Sequence, residues 1–395
     1  MPPFYVTTQG AKLRLRKRRL IVEKRNPRNP RRKACGTSQQ PNGTSQQPSG
    51  TSQQPNGTSQ QLNGTSQQPD QGERRSAVSD HTADAVGLEI IASVPLVHVD
   101  QVILFGNVGL TTPLMTTLMR RGIPVVFLTI GGRYKGRLIG AETGFGQLRL
   151  DQYNKAQDKA ASLELARAIV YGKLRNQRAL LLRYGRRRSE AALTQAAEQI
   201  GALADKARRC QTLNSLGGCE GKAGAIHFGV FKRLLKGQWP FEKRVRRPPT
   251  DPVNVLLSFG YTLLLHNVRG AVSTVGLDPF VGFLHQIVYN RPSLALDMME
   301  EFRPLVVDSI VMRCLNNEIV RAGHFHPGDE ADRPIVLDDE GRARFIREFE
   351  TRLNSKFKHP DTDERVSYRR CIELQVRRLA RCLRGLETYQ PFIVR

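Results

Sequence analysis

Acidic side chains are scarce in this chain. Its 395 residues carry 36 Asp and Glu against 61 Lys and Arg, for a net charge of +25 and an isoelectric point near 10.4. Such a surplus favours a polyanionic partner, held through phosphate contacts and counterion release. Long apolar runs are also missing. The most apolar stretch, 253–265, falls well short of the roughly 20 residues that span a bilayer, and it contains Asn254, Ser258 and Gly260. No membrane partner is expected. Basic residues interrupt the apolar positions from Lys12 onward, so the N-terminus does not read as a secretory signal. The six cysteines (Cys35, Cys210, Cys219, Cys314, Cys371 and Cys382) include no C-x-x-C pair, no zinc spacing and no dense framework. They read as reduced thiols of a cytoplasmic protein. Common catalytic signatures are absent too. Residues 131–136, Gly-Gly-Arg-Tyr-Lys-Gly, form neither a P-loop nor a G-x-G-x-x-G fingerprint, which argues against a nucleotide fold. Cys219 has no companion base and reads as a structural thiol.

What is present divides the chain. Residues 4–23 alternate around Gly10 and read as short strands in a hairpin. After an Arg/Asn/Pro stretch comes a seven-residue repeat, Gly-Thr-Ser-Gln-Gln-Pro-Asn with small variations, beginning at Gly36, Gly43, Gly50, Gly57 and Gly64. It has no apolar seam and nothing to bury, so it predicts a disordered insertion rather than a coiled coil. Strand-like runs follow at 88–94, 98–105 and 124–130, with a short helix opening at Thr112-Pro113. From Gly146 onward the apolar period becomes helical. The expected fold class is α+β: a β-rich N-terminal domain over 1–140, interrupted at about 26–82, then a larger all-helical domain over 141–395.

Two segments concentrate the acids and histidine that chemistry needs. Gly217-Gly218 reads as a turn, with Glu220 opening a helical run over 221–235; the bland alternative makes Glu220 a first-turn carboxylate favoured by the helix dipole. His285 lies on the apolar segment 279–289 and by itself reads equally as a core histidine. Asp297, Glu300 and Glu301 stand at i, i+3 and i+4 of the next helix, which Ser293 is placed to cap, among Leu294, Leu296, Met298, Met299 and Phe302. Carboxylates crowded on a partly buried face repel unless a cation joins them. One imidazole with several carboxylates and open positions suits Mn²⁺ or Mg²⁺ better than zinc.

Several stretches of this chain resemble the CRISPR-associated integrase-endonuclease of spacer acquisition, the first protein of the adaptation module. They are Glu220-Gly221 with Ala223 and Phe228; His285 with the run Arg-Pro-Ser-Leu-Ala-Leu-Asp-Met-Met-Glu-Glu-Phe-Arg-Pro over 291–304; Leu-Asp-Gln-Tyr over 150–153; Gly-Lys-Leu-Arg-Asn-Gln over 172–177; and Tyr-Gln-Pro-Phe over 389–392. The resemblance covers almost all of the chain except about 26–81. It implies that Glu220, His285 and Glu300 bind the metal and form the catalytic set, with Asp297 as a further carboxylate at or behind the ligands. It implies metal-dependent phosphoryl transfer on double-stranded DNA: captured foreign fragments are inserted into a CRISPR array in antiviral defence, and phosphodiester bonds are cut. The attacking group would be the fragment's 3′-hydroxyl or water. Implied partners are protospacer and CRISPR-repeat DNA, a second copy of the chain through the N-terminal domain, and a small companion protein in a heterohexamer-type complex. His227 stands where the family usually has Tyr, and the repeat tract is not a family feature.

Basic clusters supply candidate DNA contacts: Arg183 with Arg186, Arg187 and Arg188; Lys232 and Arg233 with Lys236; Lys243, Arg244, Arg246 and Arg247; and Arg377, Arg378, Arg381 and Arg384; Lys222 and Arg291 are further candidates. Trp239 and Phe241 read as packing residues. His324 and His326, with Asp329, Glu330 and Asp332, mimic a metal site but lie in a Gly/Pro-punctuated stretch that reads as a loop. The competing readings are a non-catalytic architectural DNA-binding protein, which has no use for clustered carboxylates beside a histidine, and an RNA nuclease sharing the same pocket.

Overall fold

A computed structural model describes residues 3–25, 88–140, 145–331 and 333–394. The repeat tract, Cys35, Asp332 and the side chain of Glu330 lie outside the described residues. Residues 1–23 and 90–395 form one compact unit; 24–89 group separately, and only the strand ends of that group are described.

β1 (Phe4–Val6), β5 (Val102–Phe105) and β7 (Val125–Leu128) pair in parallel, and β8 (Tyr134–Leu138) closes the sheet antiparallel in the order β1-β5-β7-β8. A second sheet runs β4-β3-β2-β6, from β2 (Lys12–Arg16), β3 (Arg19–Arg25), β4 (Leu88–Pro95) and β6 (Gly109–Leu110). The hairpin expected at Gly10 is therefore displaced. β1 leaves for the first sheet, and the reversal joins β2 to β3 through Lys17 and Arg18, both in the left-handed region (φ 47° and 61°). The physical reason is burial. Leu13, Leu20 and Val22 lie on the inner face of the β2–β3 ribbon, whereas Val6 packs with Val102 and Leu104.

β5 and β7 are buried on both faces, and period-2 alternation gives each face its own core. Val102, Leu104 and Val125 face a small core shared with Leu114 and Leu118 of α1 (Thr112–Arg120). Ile103, Phe105, Val126 and Leu128 face the main helical core, where Phe105 meets Phe259 edge-on at 5.8 Å. The strand–helix–strand connection exists, but α1 opens at Thr112-Pro113 with no phosphate loop before it.

Helices follow from Gly146. α2 (Gly146–Gln157) leads to α3 (Lys159–Arg188), whose start Asp158 caps by accepting from the Ala160 and Ala161 N–H groups. α4 (Ala191–Ala207) returns along α3, and α5 (Leu213–Gly229), α6 (Pro252–Val275), α7 (Ser293–Met299), α8 (Ser309–Asn316), α9 (Asp339–Asn354) and α10 (Tyr368–Leu383) complete the layer. The second part is helical, as the α+β expectation has it, and two short ribbons are inserted between its helices: β9 (Phe325–Glu330) with β10 (Arg333–Leu337), and β11 (Lys356–Lys358) with β12 (Arg365–Ser367). His326, expected in a loop, sits on β9 because Phe325 and Leu337 pair across that ribbon and pack on the core.

Candidate metal centre and nucleic-acid surface

α3 is the spine of the site. Its apolar residues Leu165, Ile169, Leu174 and Leu181 bury one side of the helix, yet Lys173, Asn176 and Gln177 are buried with them. Asn176 donates to the carbonyls of Glu301 (2.9 Å) and Phe392 (2.8 Å) and accepts from the Val394 N–H (2.9 Å), stitching α3 to the C-terminal segment. Gly172 permits this approach, since a Cβ there would lie 2.6 Å from Pro391. Sequence reasoning passed over Lys173. The signal was available: three polar residues at i, i+3 and i+4 on the apolar side of a helix.

α5 begins earlier than expected. Thr212 and Ser215 form a capping box that starts the helix at Leu213. Leu216, Cys219 and Ala223 then bury one face, so Gly217 and Gly218 are mid-helix rather than a turn. Glu220 is two turns in, which removes its reading as a first-turn carboxylate. A Cβ at Gly221 or Gly224 would meet nothing within 4 Å, so the helix backbone beside Glu220 faces open space.

Lys173 joins the two carboxylates. Its ammonium contacts Glu220 Oε1, and it lies 2.7 Å from Glu300 Oε2; Arg303 Nε lies 3.1 Å from Glu300 Oε1. Burial pushes the Glu300 carboxyl up, but Arg303, Lys173 and His285 outweigh it and hold the group at about 2. Burial likewise works against the charge on Lys173, and Glu300 with Glu220 overcomes it, raising the ammonium above its ordinary value.

Asp297 is turned elsewhere. One of its oxygens accepts from the Phe283 and Leu284 N–H groups (2.6 and 3.0 Å), and the other contacts the N–H and Nδ1 of His285 (3.0 and 2.6 Å). With Nδ1 engaged, Nε2 is the ring nitrogen left to coordinate. Ser293 does not cap α7 by its side chain; its hydroxyl donates to the Gln286 carbonyl at 2.9 Å. Glu301 faces the C-terminal segment, accepting from Tyr389 OH (2.6 Å), the Phe392 N–H (2.9 Å) and Gln375 (3.2 Å). Burial raises it to about 7 against those three bonds. Asp297, Glu300 and Glu301 thus point to three different neighbourhoods rather than one acidic face.

A cavity of about 400 Å³ opens beside Glu220 and Lys173, with Lys243, Arg244, Arg246 and Arg303 on its walls. Tyr261 stands between two guanidiniums, Arg303 at 4.8 Å and Arg244 at 5.6 Å from its ring centre. Its hydroxyl donates to Asp308 at 2.5 Å, and Asp308 also binds His227 Nε2 at 2.9 Å. Burial first, then Asp308, raises Tyr261 well above its usual value. His227 is fully buried, so its ring supports Asp308 and does not reach the cavity.

The remaining basic candidates divide. Lys222 is exposed on α5 and Arg291 is half-buried ahead of α7. On α10, Arg377, Arg378 and Arg381 are paired with Glu373, Asp361 and Glu387 at 2.8, 2.9 and 2.8 Å, which makes that cluster an ion-paired face. Arg186, Arg187 and Arg188 line a separate cleft at the end of α3. Trp239 packs edge-on against Phe325 at 6.3 Å, and Phe241 is buried, as packing residues should be. Cys210, Cys219, Cys314, Cys371 and Cys382 are free thiols.

The donor set suits a hard divalent ion: two carboxylates sharing one cation, with an imidazole nearby that Asp297 orients. These residues are not closed into a cage. Among the described residues no group of three or more His, Cys, Asp or Glu side chains is gathered closely enough to hold a metal. Lys173 occupies the position of charge between Glu220 and Glu300.

Comparison with known proteins follows the same lines. The family described as CRISPR associated protein Cas1 matches residues 83–351. The chain is 36% identical over 310 residues to the CRISPR-associated endonuclease Cas1 3 of Thermus thermophilus, covering 78% of this chain and 90% of that one. Its fold is similar to a casposase bound to integration product (TM-score 0.73, 20% identity, covering 100% and 93% of the two chains). It is also similar to a chain of a Cas6-RT-Cas1–Cas2 complex (TM-score 0.71, 22% identity, 99% and 36%). Among the described residues no helix is long and apolar enough to cross a membrane.

Proposed function

The chain belongs to the CRISPR-associated Cas1 family, and from that premise we propose that it is a metal-dependent DNA endonuclease and integrase that inserts captured fragments as spacers into a CRISPR array. The observation that carries this reading is the convergence of Glu220 and Glu300 on one ammonium, beside a cavity walled by cations. Similarity to an endonuclease and to a casposase holding its integration product supports it. An architectural DNA-binding protein has no use for carboxylates compensated this way.

Glu220, Glu300 and His285 Nε2 would hold Mn²⁺ or Mg²⁺, taking the role Lys173 fills in balancing their charge. A divalent ion there supplies polarisation of the scissile phosphate and stabilisation of the charge that develops on it. The chain's own residues do the rest. Asp297 fixes the His285 ring and the backbone of 283–285. Arg303 holds Glu300 ionised, and Lys243 and Arg246 at the cavity wall meet the phosphate backbone. The glycine face of α5 lets DNA approach the helix. The nucleophile is water in cleavage and the 3′-hydroxyl of the fragment in integration, so no protein nucleophile is needed.

The expected partners are protospacer and repeat DNA, a second copy meeting through residues 1–140, and a small companion protein in a heterohexamer-type complex. Likeness to a chain of a complex containing Cas2 is in keeping with that companion. The free thiols accord with the cytoplasm.

Glu220→Gln should lower strand transfer and cleavage in Mn²⁺ by more than about 100-fold, since even partners behind a ligand cost 10–100-fold. Salt-dependent DNA affinity should be almost unchanged. Strand transfer at the wild-type rate would overturn the assignment. Matched DNA and RNA substrates separate this activity from an RNA nuclease.

A further inference from the structure

At the C-terminal end of α3 lies a cleft of about 1100 Å³, larger than the roughly 300–1,000 Å³ of small-molecule sites. It is not the carboxylate pocket. The two share no lining residue: Arg175, Arg178 and Leu182, which line the cleft, lie across the helix from Lys173 of the pocket, and the remaining cleft residues of α3 lie farther along its axis. Arg183 stands about 15 Å farther along the axis than Lys173, at 1.5 Å per residue.

Its charge is strongly one-sided. Arg183, Arg186 and Arg187 are exposed and, among the described residues, make no hydrogen bond or ion pair. Lys236 faces them with only its backbone engaged. The one acid on the wall among the described residues, Glu348, is already paired with Arg313 at 2.7 Å. Arg352, whose guanidinium donates to the Leu305 carbonyl and covers the Tyr368 ring at 4.4 Å, is pulled below its ordinary value by burial, with Arg183 contributing. Unpaired guanidiniums at i, i+3 and i+4 of one helix repel one another, a cost that a polyanion relieves.

The floor is of a different character. Leu182, Ile393 and Val394 are half-buried and apolar, and the half-buried Tyr184 ring stands beside them. A duplex offers only phosphates and groove edges to such a surface, because its base faces are stacked within. A single strand offers phosphates to the arginines and bare base faces to the floor, the combination that single-strand channels use.

We propose that this cleft is a single-stranded DNA site, which holds a segment of substrate away from the reacting phosphate. The choice of DNA over RNA rests on the proposed function; the single-strand character rests on the cleft alone.

The test measures binding, not activity. Fluorescence anisotropy of a labelled oligodeoxynucleotide is followed across a salt series, using full-length protein in the Glu220→Gln background without divalent metal. Arg183→Ala/Arg186→Ala/Arg187→Ala should weaken single-strand binding about tenfold or more and reduce the slope of log affinity against log salt by about 2, three phosphates at ~0.7 each. Duplex affinity should fall much less. The Arg→Lys triple should keep the salt slope, which separates lost charge from a lost fold. The proposal is overturned if the alanine triple keeps wild-type single-strand affinity, if duplex binding falls as far, if the lysine triple fares as badly as the alanine one, or if an oligoribonucleotide of the same sequence binds in preference. None of these outcomes requires catalysis, so a failure here is distinct from failure of the metal-dependent chemistry.

Discussion

Two stretches of α3, one around Lys173 and one from Arg183 to Arg187, are both cationic, and they treat their cations in opposite ways. Lys173 is almost wholly buried and spends its charge on Glu220 and Glu300, with Arg303 reinforcing Glu300 from the other side. Arg183, Arg186 and Arg187 lie in solvent and, among the described residues, pair with no acid. A buried charge without partners is prohibitively costly, whereas an exposed one is merely frustrated by its neighbours. The pocket must therefore carry its own compensation and can exchange it for another cation. The cleft can wait for an anion from outside. α10 makes the third case: equally arginine-rich in sequence, its Arg377, Arg378 and Arg381 are matched by acids, which leaves little for phosphate to gain.

The strongest way to break this contrast is to remove the cation from the buried side. Lys173→Met leaves Glu220 and Glu300 facing each other with Arg303 alone, and removal of one partner from a buried pair costs about 3–5 kcal/mol. The variant should melt well below the parent by calorimetry without divalent ions. Mn²⁺ should then raise its melting temperature more than that of the parent, because the ion no longer competes with an ammonium. If Mn²⁺ moves both equally, Lys173 is not the stand-in for a metal.

Much of this was legible in the sequence, and the misses share a cause. Apolar recurrence at Leu165, Ile169 and Leu174 announces α3, and Glu220, His285 and Glu300 stand out by residue type. Gly217-Gly218 misleads because a glycine pair usually punctuates, yet the Thr212–Ser215 box upstream and the buried series Leu216, Cys219, Ala223 carry the helix straight through. Asp297, Glu300 and Glu301 look alike on a helix wheel. What separates them is contributed by distant segments: the 283–285 backbone, Lys173, and the C-terminal Tyr389 and Phe392. Basic clusters are equivalent in sequence for the same reason, since the acids that neutralise α10 come partly from elsewhere in the chain.

A smaller effect sharpens the pocket side. Asp297→Asn keeps the shape but replaces one carboxylate oxygen with an amide N–H₂, which must face either the 283–284 N–H groups or the His285 N–H and Nδ1. The His285 ring loses its fixed orientation, and supporting partners of this kind are worth 10–100-fold. Steady-state cleavage in Mn²⁺ should fall by roughly that factor, and the Mn²⁺ concentration for half-activity should rise. A fall in rate with no change in metal dependence would assign Asp297 to folding of the 283–285 loop alone.

The smallest expected change lies on the cleft side, and it is a gain. Among the described residues Glu348 is the only acid on that wall, and its partner Arg313 is mostly exposed. The Arg313 end is solvent-screened but Glu348 is only 17% exposed, so Glu348→Gln, which keeps the shape and an acceptor oxygen, should cost the fold about 1 kcal/mol. It also frees one more guanidinium for phosphate and removes the sole negative charge from the wall. Single-strand affinity measured by anisotropy should therefore rise, by up to about fivefold at low salt, and the gain should shrink as salt screens the added attraction. The same substitution should leave Mn²⁺-dependent cleavage of a short substrate unchanged, because Glu348 lines the cleft and not the carboxylate pocket. A change in cleavage without a change in binding would mean that cleft and pocket are not independent, and that they communicate through α3 itself.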